Sequence, residues 1–393
     1  MSKVAIINGK VITPYRMLEG ATVLIENGKI LDIVKGECCT EGCEIIDAKG
    51  CYVAPGFIDM HTHGAGGHDF MDGSVEAFLG AAEMHAKYGT TTLLPTCTTG
   101  SKEDTRKTFE YFNKARENNP NGSILLGLHM EGPYFADSQR GAQDPRYLKN
   151  PDFDEYTEYL AMTPHVARWS LAPELPGAMQ MGRELRKRGI VAAIAHTDAL
   201  YEHCVDALEN GFTLMTHFYS GMSTVRRINA YRFAGALEAG YAIDEFAVEI
   251  IADGCHLPAD LLRMIYKIKG AANVALITDS IRGAGMPDGP TILGSKNGGL
   301  PCIIEDGVAK LPDRSAFAGS VSTFDRLVRN MINLAGANVV EAVRMGTATP
   351  ARILGIADKK GVLAPEKDAD IVIFGENVDV QKTIIGGKVV FSK

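Results

Sequence analysis

Eight apolar runs recur through the middle of the chain, and each ends in polar or reactive side chains. They are GFIDMHTHG, TTLLPTC, SILLGLHMEG, RWSLAPE, VAAIAHTD, FTLMTHFYS, AVEIIADGCH and NVALITDS. Short runs of this kind read as buried strands. Between most of them the apolar positions switch to helical spacing, as in SVEAFLGAAEMHAKYG, KEDTRKTFEYFNKARE, GAMQMGRELRKRG, ALYEHCVDALENG and LPADLLRMIYKIKG. Several stop at Gly89, Gly189, Gly211 or Gly270, a common way to end a helix. A further helix-like run, STFDRLVRNMINLAG, follows the eighth strand. Alternating strand and helix implies a parallel sheet, and eight units imply an α/β fold of the closed (β/α)8 barrel type.

The two ends of the chain follow another rhythm. Val/Ile-rich runs punctuated by glycine fill the first fifty residues, with Asn27-Gly28 as a hairpin signal. The last thirty residues repeat the pattern, with Gly386-Gly387 as the turn. Residues 1–54 together with 359–393 are therefore expected to form a small β-sandwich domain, and residues 55–358 the catalytic barrel. Asp288-Gly289, Gly298-Gly299 and Asp306-Gly307 mark an inserted hairpin or flap around 285–320.

Composition narrows the class without choosing the function. Hydrophobic residues make up 46% and charged residues 22%, which is ordinary for a globular protein. A net charge of −8 argues against nucleic acid or an anionic membrane as the main partner. No run is long and apolar enough to span a bilayer, and the strand-like N-terminus is not a signal peptide. The eight cysteines lack the paired spacing of a zinc site and read as reduced thiols in a cytoplasmic protein.

The strand ends carry the chemistry. In a (β/α)8 barrel the active site lies at the C-terminal ends of the strands. Six of the ten histidines fall in these runs. His61 and His63 end the first strand, and their i, i+2 spacing turns both to one side. Glu131 ends the third, His196 the fifth, His217 the sixth and Asp279 the eighth. Taken singly, His196 or His217 reads as a satisfied core histidine and Asp279 as a helix cap. Their joint placement on five strands makes them a metal site. Imidazole with carboxylate suits Zn2+, with Fe2+ the other choice, better than Ca2+ or Mg2+. Five protein ligands exceed the three of a simple catalytic zinc, which leaves one ion or two open. Glu131, His196 and His217 form the primary set, and His61 and His63 a second. Asp279 is placed to take a proton from water whose acidity a metal has raised. His129 is read as support behind the ligands. His68, His85, His165 and His203 are read as structural, and Asp59 as either structural or supporting.

PGFIDMHTHG, GLHMEGPYF, IAHTDA, THFYSGM, IADGCH and ITDSIRGAGMPDG, with AFAGSVSTFDRLVRN and TPARILG, resemble the N-acetylglucosamine-6-phosphate deacetylase family of the amidohydrolase superfamily. The resemblance covers nearly the whole chain. It implies removal of acetate from a 6-phosphorylated amino sugar by a homodimer. By position it implies Glu131, His196 and His217 as ligands of the shared metal site, His61 and His63 as the extra pair of two-metal members, and Asp279 as the acid/base. His256 and the Ser220-Gly221 loop match substrate-binding positions. The family has Asn-Ala where this chain has Ser220-Gly221, and a substrate-contacting His where it has Gln143. Its phosphate-binding Arg, which the neighbouring subunit can supply, corresponds to Arg226 or Arg227, with Arg232 a weaker match. These departures bear on the sugar rather than the metal. A second reading is a deacetylase for another amino sugar, such as N-acetylgalactosamine 6-phosphate or an unphosphorylated one. Cyclic-amide hydrolases of the superfamily often use a carboxylated lysine, and no lysine lies in the third- or fourth-strand runs. A non-catalytic scaffold should have lost a ligand or the base, and none is missing.

Overall fold

A computed structural model describes residues 3–393. Eight parallel strands run β1 (Phe57–Thr62), β2 (Thr90–Cys97), β3 (Leu128–Glu131), β4 (Val166–Leu171), β5 (Val191–Ile194), β6 (Phe212–Met215), β7 (Ala247–Ile250) and β8 (Val274–Leu276), each paired to the next. The seam between β8 and β1 is held at the mouth, where Asp279 N–H donates to His61 O at 2.8 Å and His63 N–H to Ser280 O at 2.8 Å. The expected barrel is thus present, nearly closed.

Alternation along the strands sorts the core. Leu94, Ala193, Leu214 and Ala275 join one buried cluster, while their neighbours Leu93, Ile194, Met215 and Leu276 join the larger cluster shared with the helices. Side chains of successive strand residues point to opposite faces, so the first set fills the barrel and the second packs outward. The barrel interior also holds a fully buried ion pair between Arg168 on β4 and Glu249 on β7.

Helices Val75–Lys87, Lys102–Glu117, Ala178–Lys187, Tyr201–Glu209, Ala259–Lys269 and Phe324–Asn333 occupy the runs with helical spacing. The stop glycines 89, 189, 211 and 270 hold φ of 88°, 70°, 104° and 67°, the left-handed region that ends a helix without a Cβ penalty. Helical spacing did not mark Phe153–Met162, Ala236–Ala242, Val339–Met345 or Ala348–Ile353, which are helices as well.

The chain ends meet in one mostly antiparallel sheet of eight strands, in which Ile371–Phe374 pairs with Tyr52–Pro55. Asn27-Gly28 and Gly386-Gly387 form its turns, with φ of 51°, 77°, 54° and 78°. Residues Gly289–Leu293, Leu300–Glu305 and Val308–Lys310 form a three-stranded antiparallel flap after β8. Among the described residues no helix is long and apolar enough to cross a membrane. None of the eight cysteines is disulfide-bonded.

Candidate metal centre and substrate pocket

Two groups of ligand atoms lie at the barrel mouth. One is His61, His63 and Asp279, the other Glu131, His196 and His217, and all six residues are buried. Glu131 joins the groups. Its Oε1 lies 3.1 Å from His217 Nε2, 3.4 Å from His196 Nε2 and 3.5 Å from His61 Nε2. Its Oε2 lies 3.3 Å from His63 Nε2. Asp279 Oδ1 is 3.3 Å from His61 Nε2 and 3.2 Å from His63 Nε2.

Hydrogen-bond chemistry tests whether these residues suit a cation. His196 Nδ1 faces Gln139 O at 2.8 Å, and His217 Nδ1 faces Ser220 O at 3.2 Å. A carbonyl only accepts, so each Nδ1 carries the proton, which leaves each Nε2, the atom that faces the Glu131 carboxylate, as the one available to a cation. A cation between Nε2 and the carboxylate oxygen would be held by both. His61 is fully buried and neither of its ring nitrogens has a hydrogen-bond partner. The separations also match two atoms sharing one ion: bonds of about 2.0–2.1 Å at a tetrahedral angle put ligand atoms about 3.3 Å apart. The donor set fits a divalent metal.

The imidazoles favour the ionised form of both carboxylates. Burial opposes the charged form of Glu131, but His61 and the other imidazoles outweigh it and hold the carboxyl well below its ordinary value. Asp279 is lowered in the same way, against burial, by His61 and His63. An ionised Asp279 can accept a proton.

Behind the ligands lies a packed polar layer. His129 bonds Thr96 Oγ1 through Nδ1 at 3.1 Å and Ser170 Oγ through Nε2 at 2.8 Å, and its ring lies 4.5 Å from that of His61. Burial, reinforced by the Arg168 charge, holds His129 neutral. Arg168 also donates to Thr216 Oγ1 at 2.8 Å, beside His217. Asp59 accepts from His61 N–H at 3.3 Å and from the Thr278 hydroxyl at 2.6 Å, tying the end of β1 to that of β8. Burial pushes its carboxyl up to about 7. Sequence reasoning missed Arg168, Glu249 and Thr278, because a charged pair inside a barrel carries no spacing signal.

A cavity of about 220 Å³ opens above the ligands. Gln143, Ser220, Gly221 and His256 line it. Gln143 Nε2 donates to Glu131 Oε2 at 2.9 Å, while its Oε1 accepts from Thr98 Oγ1 at 3.0 Å and Thr99 N–H at 3.1 Å. His256 is oriented by Asp253, whose Oδ2 lies 2.8 Å from Nδ1, and it packs on Phe317 with ring centroids 4.7 Å apart. A Cβ on Gly221 would stand 2.7 Å from His196 Nδ1 and 2.8 Å from Gln139 O, so the site requires glycine there. Leu293 and Phe317 also line the cavity and were not foreseen, since the register of the flap is not readable from sequence. Arg226 and Arg227 lie on an exposed hairpin, Arg226–Ile228 with Tyr231–Phe233. Neither lines the cavity of its own chain. Arg226 donates to Asp198 O at 3.2 Å.

Comparison with known proteins follows the same lines. The sequence model of the amidohydrolase family matches residues 52–390. The chain is 32% identical to an N-acetylglucosamine-6-phosphate deacetylase of Lysinibacillus sphaericus, over 94% of this chain and 93% of the relative. It is 31% identical to an N-acetylgalactosamine-6-phosphate deacetylase of Escherichia coli O157:H7, over 86% and 87%. The solved structure of a mutant N-acetyl-D-glucosamine-6-phosphate deacetylase from Mycobacterium smegmatis, in complex with N-acetyl-D-glucosamine 6-phosphate, superposes with a TM-score of 0.91 at 27% identity, covering all of both chains.

Proposed function

The chain belongs to the amidohydrolase family, and from that premise we propose that it removes acetate from N-acetylglucosamine 6-phosphate, leaving glucosamine 6-phosphate. The observation that carries this reading is the pair of ligand groups joined through Glu131 with the Asp279 carboxylate against His61 and His63. The deacetylase relatives, alike along nearly the whole chain, supply the substrate class.

Glu131, His196 and His217 would hold one ion, and His61 and His63 a second, with Asp279 lining the cavity beside them. A divalent ion held there, zinc by its donors with iron(II) as the alternative, would supply Lewis-acid polarisation of the amide carbonyl and a more acidic attacking water. Asp279 takes the proton of the attacking water and passes it to the leaving amine. Gln143 has one amide proton on Glu131 and a second for the carbonyl oxygen of the substrate. His129, Thr96 and Ser170 keep the His61 ring in place. The Ser220-Gly221 backbone and His256 face the sugar. Arg226 and Arg227 are exposed and do not line their own cavity, which supports a homodimer in which one of them reaches the phosphate bound by the partner. The unpaired cysteines support a cytoplasmic location.

The galacto epimer is the second reading, favoured by the E. coli relative and by the departures at Gln143 and Ser220-Gly221. Acetate release from N-acetylglucosamine 6-phosphate, its galacto epimer and unphosphorylated N-acetylglucosamine separates the readings. The first substrate is expected to give the highest kcat/KM, and loss of the phosphate to cost most of it. No acetate from any of the three would overturn the function.

A further inference from the structure

The substrate cavity has a neighbour of about 150 Å³, and the two share a wall. Leu293 and Ala142 line both. Gln143 stands beside them: its side chain faces the substrate cavity, and its Oε1 is held by Thr98 and Thr99, which line the other.

Buried charges fix the backbone on either side of Leu293. Arg282 Nε donates to Ile292 O at 2.9 Å, and the same guanidinium donates to Gly294 O. Asp72 anchors that guanidinium at 2.8 Å. Gly294 N–H donates to Asp69 Oδ2 at 3.1 Å. Arg282 and Asp69 are buried, and so is Leu293. Arg282 follows Asp279 by three residues, and its carbonyl accepts from Gly67 N–H at 2.8 Å, just beyond His63. The strand carrying the base, the loop after the histidine pair and the edge of the flap are thus one braced unit. What the flap strand Gly289–Leu293 contributes to the substrate cavity is the Leu293 side chain.

An amide substrate has an amine end and an acyl end. Glu131 divides the cavity between them. Its Oε1 faces His196 and His217, the latter with Nδ1 on Ser220 O; its Oε2 faces His63 and Gln143, and Gln143 is held by Thr98 and Thr99, which line the neighbouring cavity together with Ala142 and Leu293. If the sugar lies toward Ser220 and His256, as the function above requires, the acyl group points at the apolar wall.

We propose that Leu293, backed by Ala142, sets the acyl-chain length: it contacts the acetyl methyl and bars longer acyl groups from the space behind. This rests on the deacetylase reading. A hydrophobic pocket discriminates by about 10–200-fold per methylene, so a wall of this kind has a measurable signature.

The test compares kcat/KM for N-acetyl-, N-propionyl- and N-butyrylglucosamine 6-phosphate, read by amine release, in the metal-loaded wild type, Leu293→Ala and Leu293→Val. Metal content and thermal midpoint are measured on each sample, and the smaller Val change serves if the Ala variant does not fold. The wild type is expected to prefer acetyl. In Leu293→Ala the butyryl-to-acetyl ratio should rise by at least about tenfold, with Leu293→Val between. An unchanged ratio in folded, metal-loaded variants that still hydrolyse the acetyl substrate would overturn the wall and leave the deacetylase reading standing. A wild type inactive on all three would overturn both.

Discussion

His196, His217 and Asp279 hold φ of 44°, 27° and 46°. Left-handed backbone at a residue with a side chain costs on the order of 1–3 kcal/mol. Here it falls on the residues that follow β5, β6 and β8, where the chain must bend so that the side chain meets the Glu131 cluster. The glycine at 221 answers the same constraint, because the loop after His217 passes too close to His196 for a Cβ. Asp279 stands with His61 and His63, which hold it ionised, and outside the group of Glu131, His196 and His217. Asp279→Asn should therefore keep the metal of the Glu131 group and lose about 10²–10⁴-fold in kcat, measured as acetate release with metal content determined on the same sample. Undiminished turnover would remove Asp279 from the mechanism. The sequence was informative about these residues for a simple reason: ligand residues are rare, and six sat at strand ends. It was silent on Leu293 and Arg168, whose types are common and whose roles come from what they face.

Between elements, the end of β1 is tied to β8 and to helix Val75–Lys87 through two titratable groups of opposite effect. His85 bonds Thr62 Oγ1 at 2.9 Å, and burial pushes its pKa down to about 4. The folded state therefore binds fewer protons than the unfolded state between the ordinary 6.5 and about 4, and acid destabilises it, by up to roughly 3 kcal/mol. Asp59 has a folded value of about 7. The folded state binds the extra proton between about 7 and the ordinary 3.8, so acid stabilises it, by up to roughly 4 kcal/mol. Urea unfolding of the metal-free protein between pH 7 and 4 should show this as opposite slopes relative to wild type. His85→Asn should gain stability relative to wild type as pH falls, and Asp59→Asn should lose it. Parallel curves would mean that neither group is titrating as its burial requires. Barrel strands were legible as short apolar runs and most helices by their 3.6-residue period, with glycine punctuating both. Phe153–Met162 was not, because its buried face is Tyr156, Tyr159 and Leu160 set among acidic residues while Phe153 is exposed. The Arg168–Glu249 pair was not legible either, since it joins β4 to β7 across 81 residues of sequence.

For the whole molecule, both chain ends fold into one sheet beside the barrel, as the matching glycine-punctuated runs at the two termini implied. What the sequence left open was where the arginines near 226 would lie. They stand on an exposed hairpin with Tyr231 and Phe233 uncovered, and neither lines the cavity of its own chain. If a second copy receives them, two defective chains should repair each other. Asp279→Asn co-expressed with the Arg226→Ala, Arg227→Ala double variant should form mixed dimers with one intact site, and acetate release should exceed that of either parent. Activity no higher than the average of the parents would place the phosphate contact within one chain.

Beneath all of these lies the claim that the cluster around Glu131 holds an ion on which amide hydrolysis depends. It is tested most directly by stripping the protein with a chelator and titrating zinc back while following acetate release from N-acetylglucosamine 6-phosphate. Turnover is expected to disappear with the metal, to return with stoichiometric zinc in the wild type, and not to return in His196→Asn. Full turnover by metal-free protein would contradict the claim.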